Sequence, residues 1–476
     1  MFNFDYSYLN LPNTFYSFTK PSLLANPELF ILNKRLCNEF MLSINSKEDL
    51  IKVLLNKNNH IKSYSQSYAG HQFGHFTKLG DGRALMIGEF LNNNKQRFDL
   101  QLKGSGQTPY SRSGDGKATL KSMLKEYLYS EAINYLNIET SRSLGLIKTG
   151  EFINRNNPQQ GGILIRTMKS HIRIGTFEYA SYLCSEKDLT QLTNYTINRL
   201  YPEIKKLKNP ALGLLDKVMK NQINSVVKWM QVGFIHGVMN TDNTSISGES
   251  FDYGPCAFMN TYHPDTSYSS IDQNKRYSYG NQAKIIKWNI IRFAEALLPI
   301  IHEEKEKAIQ LVLETINQFD DLWNKKYYGM MLKKIGINNN DIKSYPLVDE
   351  LLECMKIQKM DYTNTFWTLS QNNLSENKLT NNLNFNNWSK KWESYINTNS
   401  NIKNAKDSMK KYNPVVILRN NLVEEAIEDS INGDLNSLYK LLNVISKPYQ
   451  IREKRDKYTK QPSDHFESNF QTFCGT

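Results

Sequence analysis

Cysteine and long apolar runs are scarce in this chain of 476 residues. Its five cysteines are scattered without a CxxC pair, which argues against a cysteine-based zinc motif and a disulfide framework and favours a reducing compartment. No uninterrupted apolar run approaches the ~18 residues that a membrane helix needs. The N-terminus has no basic segment followed by an apolar one, so no signal peptide is predicted. We therefore expect a cytoplasmic protein without a membrane partner.

Composition and charge set the broad class of the protein. Hydrophobic residues make up 39% and charged residues 22% of the chain, which is typical of a soluble globular protein and excludes a disordered chain. At roughly 100 to 200 residues per domain, the length predicts several domains or one large enzyme domain with an appendage. The 59 Lys and Arg residues exceed the 47 Asp and Glu residues, so the net charge is +12. This excess favours a polyanionic partner such as a nucleotide, a nucleic acid or a phospholipid head group, unless it reflects only a compositionally biased genome.

The hydrophobic pattern changes from strands to helices along the chain. Alternating apolar and polar residues at 84–90 and 98–104 predict a β-hairpin. Helical spacing of apolar residues covers 117–136, and the long amphipathic stretch 215–237 predicts a helix that ends at Gly237. Further helices are predicted at 284–301, 306–319 and 347–357.

This order of elements predicts an α+β fold with a strand-rich part followed by a helical part. The Asn-rich stretch 371–390 is of low complexity and is predicted to be a loop or an insertion. We divide the chain into an N-terminal extension, a strand-rich lobe, a helical lobe and a helical C-terminal region that includes the Asn-rich stretch and a cysteine-bearing tail. The predicted limits of these segments are 1–60, 61–180, 181–330 and 331–476.

Two loops rich in glycine flank the predicted hairpin. In KLGDGRALMIGEF, Gly80 and Gly82 precede the first strand together with Arg83. Glycines let backbone N–H groups approach a phosphate, and an arginine adds a charged donor, although the same pattern is typical of an ordinary tight turn. The second loop, with Asp115 and Gly116 in SGDGKA, does not have the spacing of a Walker loop.

A lysine and a glutamate stand where a protein kinase keeps its nucleotide-orienting pair. Lys103 lies at the end of the strand FDLQLKG, and Glu126 lies on the first long helix. In kinases a strand lysine held by a helix glutamate directs its ammonium group at the nucleotide phosphates. The alternative at this point is that both side chains are ordinary surface residues.

The segments FIHGVMNTDN and ESFDYGP follow the order of the kinase catalytic loop and metal-binding segment. Asn243 follows His236 by the seven residues that separate His from Asn in HRDxxxxN, and Asp252 begins DYG where kinases have DFG. Val238 occupies the position of the kinase base, and Asp242 is the nearest carboxylate. Two carboxylates and a carboxamide provide oxygen ligands that suit Mg²⁺. Together with the strand lysine and helix glutamate, this order predicts a nucleotide and metal site.

Longer motifs resemble one particular family. The segments YAGHQFGHFTKLGDGRA, LQLKGSGQTPYSRSGDGKA, EYLYSEA, TMKSHIRIGTFEYA, GFIHGVMNTDN and FDYGPCAFMNTYHP are similar to those of the selenoprotein O family, also called YdiU. The resemblance spans most of the chain, from FDYSYLNLPNTFY to FCGT. It implies a two-lobed protein-kinase-like fold that holds ATP inverted relative to ordinary kinases. It also implies transfer of AMP to Ser, Thr or Tyr hydroxyls of proteins, and of UMP with Mn²⁺ by some members.

The resemblance also implies roles for individual residues. The positions that match nucleotide-contacting residues are Gly80, Gly82, Arg83, Lys103, Asp115, Gly116, Arg166, Arg173 and Asp252, with Glu126 pairing Lys103. Asn243 and Asp252 match the ligands of Mg²⁺ or Mn²⁺, and Asp242 matches the proton acceptor. An absent base at position 238 is compatible with attack at the α-phosphorus.

The cysteine tail is where the chain departs from some relatives. Animal members carry selenocysteine third from the C-terminus, and Cys474 holds that place here. Some bacterial relatives pair the tail cysteine with a second one, but Tyr268 stands at that position, so the resemblance does not carry the disulfide over. Cys256 is the nearest other cysteine and is expected to be a buried, inert thiol.

The sequence therefore favours a protein adenylyltransferase that uses ATP and Mg²⁺ or Mn²⁺, with UTP as a further candidate substrate and proteins as acceptors. An orthodox protein kinase is the alternative enzyme, and Val238 weighs against it. A non-catalytic basic protein that binds nucleotide or nucleic acid is the alternative outside enzymes, supported mainly by the charge of +12. On the favoured interpretation no nucleic-acid partner is expected.

Overall fold

The computed structural model describes residues 2–44, 46–55, 61–371, 383–450 and 456–473. The longer strands all lie before residue 169, and helices dominate the chain after it. This distribution confirms the predicted α+β class and the helical C-terminal region. Within the described ranges, no helix has both the length and the apolar character needed to cross a membrane.

One antiparallel sheet of eight strands forms the strand-rich lobe within the described residues. Its order is β1-β3-β5-β6-β8-β7-β2, and β4 pairs with β3. Because β1 and β2 come from the predicted N-terminal extension, that segment is part of this sheet; the segment limits themselves stay a prediction. The strands are β1 Tyr16–Phe18, β2 Glu28–Leu32, β3 Tyr64–Gln72, β4 His75–Gly80, β5 Ala84–Leu91, β6 Arg97–Lys103, β7 Arg142–Asn154 and β8 Pro158–Met168.

Strands β5 and β6 form the hairpin that the sequence predicts. Their register places Ala84 opposite Lys103 and Leu91 opposite Arg97. On its other side β6 pairs with β8, so that Gln101 faces Arg166 across the two strands. Residues opposite each other on neighbouring strands point to the same face of a sheet. The pairing therefore brings a lysine, a glutamine and an arginine to one area of the lobe.

Helix α3 (Leu120–Tyr135) packs against β7 and β8 and carries Glu126 toward that area. Thr119 begins the helix, since its hydroxyl accepts a hydrogen bond from the Ser122 backbone N–H at 3.2 Å. Such a cap satisfies one of the backbone donors left free at a helix N-terminus. The helix is buried over most of its length, and Glu126 is 2% exposed. A carboxylate buried to this extent needs charged or hydrogen-bonding partners.

The remaining helices form the helical lobe and the C-terminal region. They are α4 Ile174–Leu183, α5 Glu186–Leu200, α6 Pro210–Val232, α7 Gln282–Ile301, α8 Lys305–Ile316, α9 Phe319–Lys334, α10 Tyr345–Ile357, α11 Tyr362–Leu369, α12 Leu383–Asn399, α13 Ile402–Met409, α14 Asn420–Ile431, α15 Asn436–Ile445 and α16 Asp464–Asn469; the short α1 Lys34–Glu39 and α2 Lys47–Leu54 precede the sheet lobe's main strands.

The long helix α6 ends earlier than predicted. It stops at Val232, and Gly233 follows in the left-handed conformation with φ of 73°, which glycine adopts at helix ends without steric cost. The chain then forms strand β9 (Phe234–Ile235), which pairs with β10 (Ala257–Phe258). The predicted end at Gly237 was therefore wrong. The helix stops early because Phe234 and Ile235, which lie between the two glycines, pair with a strand that is distant in the sequence.

Part of the Asn-rich stretch is a helix, which corrects the prediction of a loop over 371–390. Helix α12 begins at Leu383 and buries Phe385, Trp388, Trp392 and Ile396. These four residues follow helical spacing, and the indole N–H of Trp392 donates to a backbone carbonyl oxygen, that of Ile335, at 2.7 Å. Residues 372–382 of the predicted loop lie outside the described residues.

A buried ion pair within the C-terminal region joins α11 to the start of α14, and a hydrogen bond from the same arginine reaches the helical lobe. Arg419, which precedes α14, is 1% exposed. Its NH1 lies 2.7 Å from Asp361 Oδ2 and its NH2 lies 3.1 Å from Asp361 Oδ1, so the pair is bidentate. NH1 also donates to Asn260 Oδ1 at 2.7 Å. Asp361 in turn begins α11 by accepting from the Asn364 backbone N–H at 2.7 Å.

We predict that Arg419→Met lowers the free energy of unfolding by about 3–5 kcal/mol, because it leaves the Asp361 carboxylate buried without its cation. Denaturant titration followed by circular dichroism measures the change. Lys457→Met is the matched control, since it removes an exposed pair with Glu425 and should cost less than about 1 kcal/mol. Equal costs for the two variants would contradict the importance of the buried pair.

Candidate active site

Four charged side chains from both lobes meet in one cluster, in which three are buried and the fourth, Asp252, is 28% exposed. Lys103 Nζ lies 2.6 Å from Glu126 Oε2 and also donates a hydrogen bond to Asp252 Oδ1. Arg166 NH1 lies 3.0 Å from Glu126 Oε1 and 3.8 Å from Asp252 Oδ1. The structure thus brings together the lysine and glutamate that the sequence paired, and it adds the aspartate of the DYG segment. The ion pair between the lysine and the glutamate is one that protein kinases also form.

Asp252 is held as an anion in an uncommon backbone conformation. Its φ is 68°, in the left-handed region that aspartate and asparagine tolerate better than most residues. Burial alone would raise the pKa of this carboxyl, but the charges of Lys103, Arg166 and Arg83 lower it well below its usual range. An ionised carboxylate is the form that binds a metal ion.

A second cluster surrounds Arg173, the residue that precedes α4. Its guanidinium NH2 lies 3.5 Å from Asp81 Oδ1, and the group stacks on the rings of Tyr68 at 4.0 Å and Phe251 at 5.0 Å. Arg173 is 3% exposed, yet its NH2 has no hydrogen-bond acceptor within the part of the chain that the structure describes. A buried guanidinium with a donor left over is suited to an anionic ligand.

Gln101 and Phe251 join the two clusters into one site. The Gln101 side-chain oxygen accepts from Arg166 Nε at 3.1 Å, and its amide donates to Asp81 Oδ2 at 3.4 Å. The Phe251 ring lies 5.4 Å from the Arg166 guanidinium carbon and 5.0 Å from that of Arg173. Sequence reasoning did not select Gln101, Asp81 or Phe251. Gln101 could have been found, because it lies two residues before Lys103 and therefore on the same face of the strand.

Asp242 lies beside the second cluster on a short 3-10 turn, Thr241–Asn243. It is 7% exposed, and burial raises its pKa to about 6, although the charge of Arg173 opposes this. Its Oδ2 accepts a hydrogen bond from Gln72 Nε2 at 3.4 Å, whereas Oδ1 has no partner among the described residues. Asn243 donates its side-chain amide to the Val238 carbonyl oxygen at 3.3 Å.

The glycines of the two loops serve contacts within the protein. A Cβ on Gly80 would lie 2.3 Å from the Tyr110 ring, and one on Gly82 would lie 2.9 Å from the Tyr110 carbonyl oxygen. Gly116 has φ of 66°, and a Cβ there would lie 2.0 Å from the Gly106 carbonyl oxygen. Close packing against residues 104–118 therefore accounts for these glycines. Their contact with a nucleotide stays a prediction.

Asp115 is engaged by an arginine in the structure. Arg155 NH1 and NH2 lie 3.0 Å from the two carboxylate oxygens of Asp115. The hydrogen bond from Arg155 lowers the pKa of Asp115. The structure thus places this residue in an ion pair with the β7–β8 hairpin, and its predicted nucleotide contact is untested.

In the described part of the chain, no three or more His, Cys, Asp or Glu side chains are grouped so that they could hold a metal ion by themselves. The predicted metal ligands Asn243 and Asp252 and the predicted base Asp242 all carry side-chain oxygens. Their oxygens are the hard ligands that Mg²⁺ and Mn²⁺ prefer, and Asp242 Oδ1 is a buried oxygen without a partner in the described residues. The chemistry of this set fits a divalent cation.

Cys256 is buried close to the DYG segment, and the tail cysteine lies outside the described residues. As predicted, Cys256 is fully buried, and burial raises its pKa to about 12. Tyr268 donates its hydroxyl to Glu467 Oε1 at 2.7 Å, and its carbonyl accepts from the Thr472 N–H at 2.7 Å. The tail therefore contacts the segment after the DYG motif, while Cys474 lies outside the described residues.

A family model described as "Protein adenylyltransferase SelO" matches residues 1–446 of the chain. The chain belongs to the SelO family. Curated relatives agree over the full length. A "Protein nucleotidyltransferase YdiU" of Pelagibacter ubique is 46% identical over 481 residues, covering 100% of this chain and 99% of the relative. The protein of the same name from Brevibacillus brevis is 45% identical over 480 residues, covering 100% and 98%.

Membership of the SelO family confirms that the chain is a protein nucleotidyltransferase. It does not favour the orthodox kinase or the non-catalytic basic protein. Among solved structures, ROP2 from Toxoplasma gondii, "a virulence factor with a protein-kinase fold", matches at 8% identity, 69% of this chain and 97% of that one, with a TM-score of 0.26. A likeness this weak supports no conclusion by itself.

Proposed function

We propose that this SelO-family chain transfers AMP from ATP to Ser, Thr or Tyr hydroxyls of cytoplasmic proteins, with Mg²⁺ or Mn²⁺, and that UTP is a second candidate donor. The observation that carries the proposal is the convergence of Lys103, Arg166 and Arg173 next to Asp242 and Asp252. Three cations in a buried site match the charge of a triphosphate. Of the two acids next to them, Asp252 suits a ligand of a divalent cation and Asp242 suits a proton acceptor.

The three cations are proposed to bind and orient the phosphates. Lys103 and Arg166 are held by Glu126, at 2.6 and 3.0 Å, so their charged groups are fixed before a ligand arrives. Arg173 is fixed by the two rings on which it stacks and by a hydrogen bond from its NH1 to the Asp242 carbonyl oxygen at 3.2 Å. Donors fixed in advance stabilise developing charge without reorganisation. Arg83 is proposed to add a further charge, since it already acts on the Asp252 carboxyl.

Asn243 and Asp252 are proposed to hold the divalent cation. The Asn243 amide N–H₂ is engaged by Val238, which leaves the carboxamide oxygen as the group that can act as a ligand. Asp252 is anionic because of the cations that surround it. When bound, Mg²⁺ or Mn²⁺ would neutralise phosphate charge and polarise the phosphorus.

Asp242 is proposed to accept the proton of the attacking hydroxyl. Its pKa of about 6 lies near neutral pH, where a general base is most effective, and its Oδ1 has no partner within the described chain. The hydroxyl oxygen forms a bond to the α-phosphorus, its proton moves to Oδ1, and the bond from the α-phosphorus to the bridging oxygen breaks. Pyrophosphate leaves with that bonding pair.

The nature of the product tests this proposal. The protein is incubated with ATP or UTP, each with Mg²⁺ or Mn²⁺, and with casein as an acceptor that offers exposed hydroxyl groups; modified residues are then identified by mass spectrometry. We expect nucleoside monophosphate on Ser, Thr or Tyr. The amount transferred in each of the four combinations shows which nucleotide and which metal the protein prefers. Phosphate alone on the acceptor would overturn the proposal in favour of a kinase.

A further inference from the structure

The end of strand β3 rests on the turn that carries Asp242. The His71 backbone N–H donates to Thr241 Oγ1 at 2.7 Å, and the Phe73 N–H donates to Asn240 Oδ1 at 3.2 Å. Between them, Gln72 donates its side-chain amide to Asp242 Oδ2 at 3.4 Å. Three consecutive residues of the sheet lobe thus bind three consecutive residues of the catalytic turn.

A buried glutamate on α4 completes this attachment. One carboxylate oxygen of Glu178 accepts the hydroxyl of Thr241, and the other forms a hydrogen bond with His71 Nδ1. The Glu178 side chain is 0% exposed and that of His71 is 12% exposed. A single carboxyl group therefore joins strand β3, helix α4 and the turn that contains Asp242.

The strand, the start of α4 and the turn are closely packed around the attachment. A Cβ on Gly70 would lie 2.8 Å from both Cβ and Oδ1 of Asp242, and a Cβ on Gly175 would lie 2.0 Å from the Ala69 carbonyl oxygen. The strand, the start of α4 and the turn are in direct contact, so a displacement of one must move the others. The His71 ring is also held edge-on by Trp288, with ring centroids 5.3 Å apart.

We propose that Glu178 and His71 are positioning residues, which hold the Asp242 turn in register with the phosphate-binding sheet lobe. The inference rests on the proposed function, since it concerns the orientation of the proposed base. The phosphates would be held mainly from the sheet lobe, whereas Asp242 lies on the helical lobe's turn. A fixed distance between the two lobes is therefore needed, because a misplacement of ~1 Å can cost about 10²-fold in rate.

The role of Glu178 is to form two hydrogen bonds rather than to supply a charge. Burial raises its pKa to about 7, so the uncharged carboxyl is accessible near neutral pH. Glutamine has the same shape and can accept from Thr241 while donating to His71 Nδ1. Alanine can do neither. The two substitutions at this position therefore separate loss of the attachment from loss of an ionisable group.

The test compares Glu178→Ala, Glu178→Gln and His71→Ala with the wild type, using transfer of α-labelled ATP to casein for kcat and KM, and equilibrium binding of ATP with Mg²⁺. We expect Glu178→Ala to lower kcat by on the order of 10²-fold and His71→Ala by about tenfold, since backbone and Gln72 contacts remain. ATP affinity should stay within about twofold, and Glu178→Gln should keep most of the wild-type kcat. His75→Ala, an exposed histidine on the same hairpin, is the matched control and should behave as wild type.

Three results would overturn the inference: wild-type kcat in Glu178→Ala, equal losses in Glu178→Gln and Glu178→Ala, or ATP affinity that falls in proportion to kcat. Circular dichroism checks that each variant folds, and if Glu178→Ala does not, wild-type kcat in His71→Ala overturns it instead. Failure of the proposed function is distinguishable, because the wild type itself would then transfer no α-label.

Discussion

Asp252→Ala should abolish nucleotidyl transfer while the protein remains folded. Asp252 contributes a carboxylate that Lys103 and Arg166 keep ionised, and it is one of the two proposed metal ligands. Its loss removes charge neutralisation and leaves Lys103 with Glu126 as its remaining acid partner in the cluster. Losing a metal ligand in such a site costs several kcal/mol of transition-state stabilisation, which corresponds to a rate loss on the order of 10³-fold or more.

Two companion variants make this result interpretable. Asp252→Asn keeps a residue that tolerates the left-handed φ of 68°, so it separates loss of charge from backbone strain. Asp265→Ala removes an exposed carboxylate a short distance along the chain and should leave transfer unchanged. Rates are measured with α-labelled ATP, and folding by thermal melting. Wild-type transfer by a folded Asp252→Ala or Asp252→Asn protein would remove Asp252 from the site.

Asp242→Asn should reduce turnover by about 10² to 10⁴-fold with ATP affinity nearly unchanged. The expected loss follows from the proposed role of the carboxylate as proton acceptor, because an amide of the same shape cannot accept that proton. The hydrogen bond from Gln72 to Oδ2 can be kept by the amide oxygen. Binding of ATP with Mg²⁺ and transfer of α-label are measured on the same preparation.

The alternatives for Asp242 give different results in the same pair of measurements. If it only stabilises its turn, asparagine should replace it with little loss, because asparagine has the same shape and its oxygen can keep the hydrogen bond from Gln72. If it binds the metal or nucleotide, affinity should fall in proportion to turnover. Unchanged turnover would therefore eliminate the base role, and a parallel fall would reassign the residue to ligand binding.

Local patterns in the sequence predicted the elements whose causes are local. The β5–β6 hairpin follows from alternation within twenty residues, and helix α3 follows from its own apolar spacing. The end of α6 could not be predicted in this way. Gly233 and Gly237 can both end a helix, and the choice between them depends on the pairing of β9 with β10. In the Asn-rich stretch, the low-complexity composition favoured a loop, although the apolar residues from Phe385 onward follow helical spacing.

Some residues of the candidate site could likewise be predicted from the sequence, and others could not. Lys103, Glu126 and Asp252 could be selected because their order along the chain is that of kinases, and the structure brings them into contact. Asp81 could not, because its importance depends on which side chains face it across the sheet. The attachment through Glu178 joins residues that are 63 and 107 positions apart, and nothing in one sequence indicates such a contact.

The most direct test of the central claim is incubation of the protein and casein with ATP labelled separately at the α- and the γ-phosphorus. Attack at the α-phosphorus leaves the α-label on the acceptor and releases the γ-label as pyrophosphate. The account predicts α-label in protein and no γ-label above background, with both absent in Asp252→Ala. Incorporation of γ-label without α-label would show phosphoryl transfer and would contradict it.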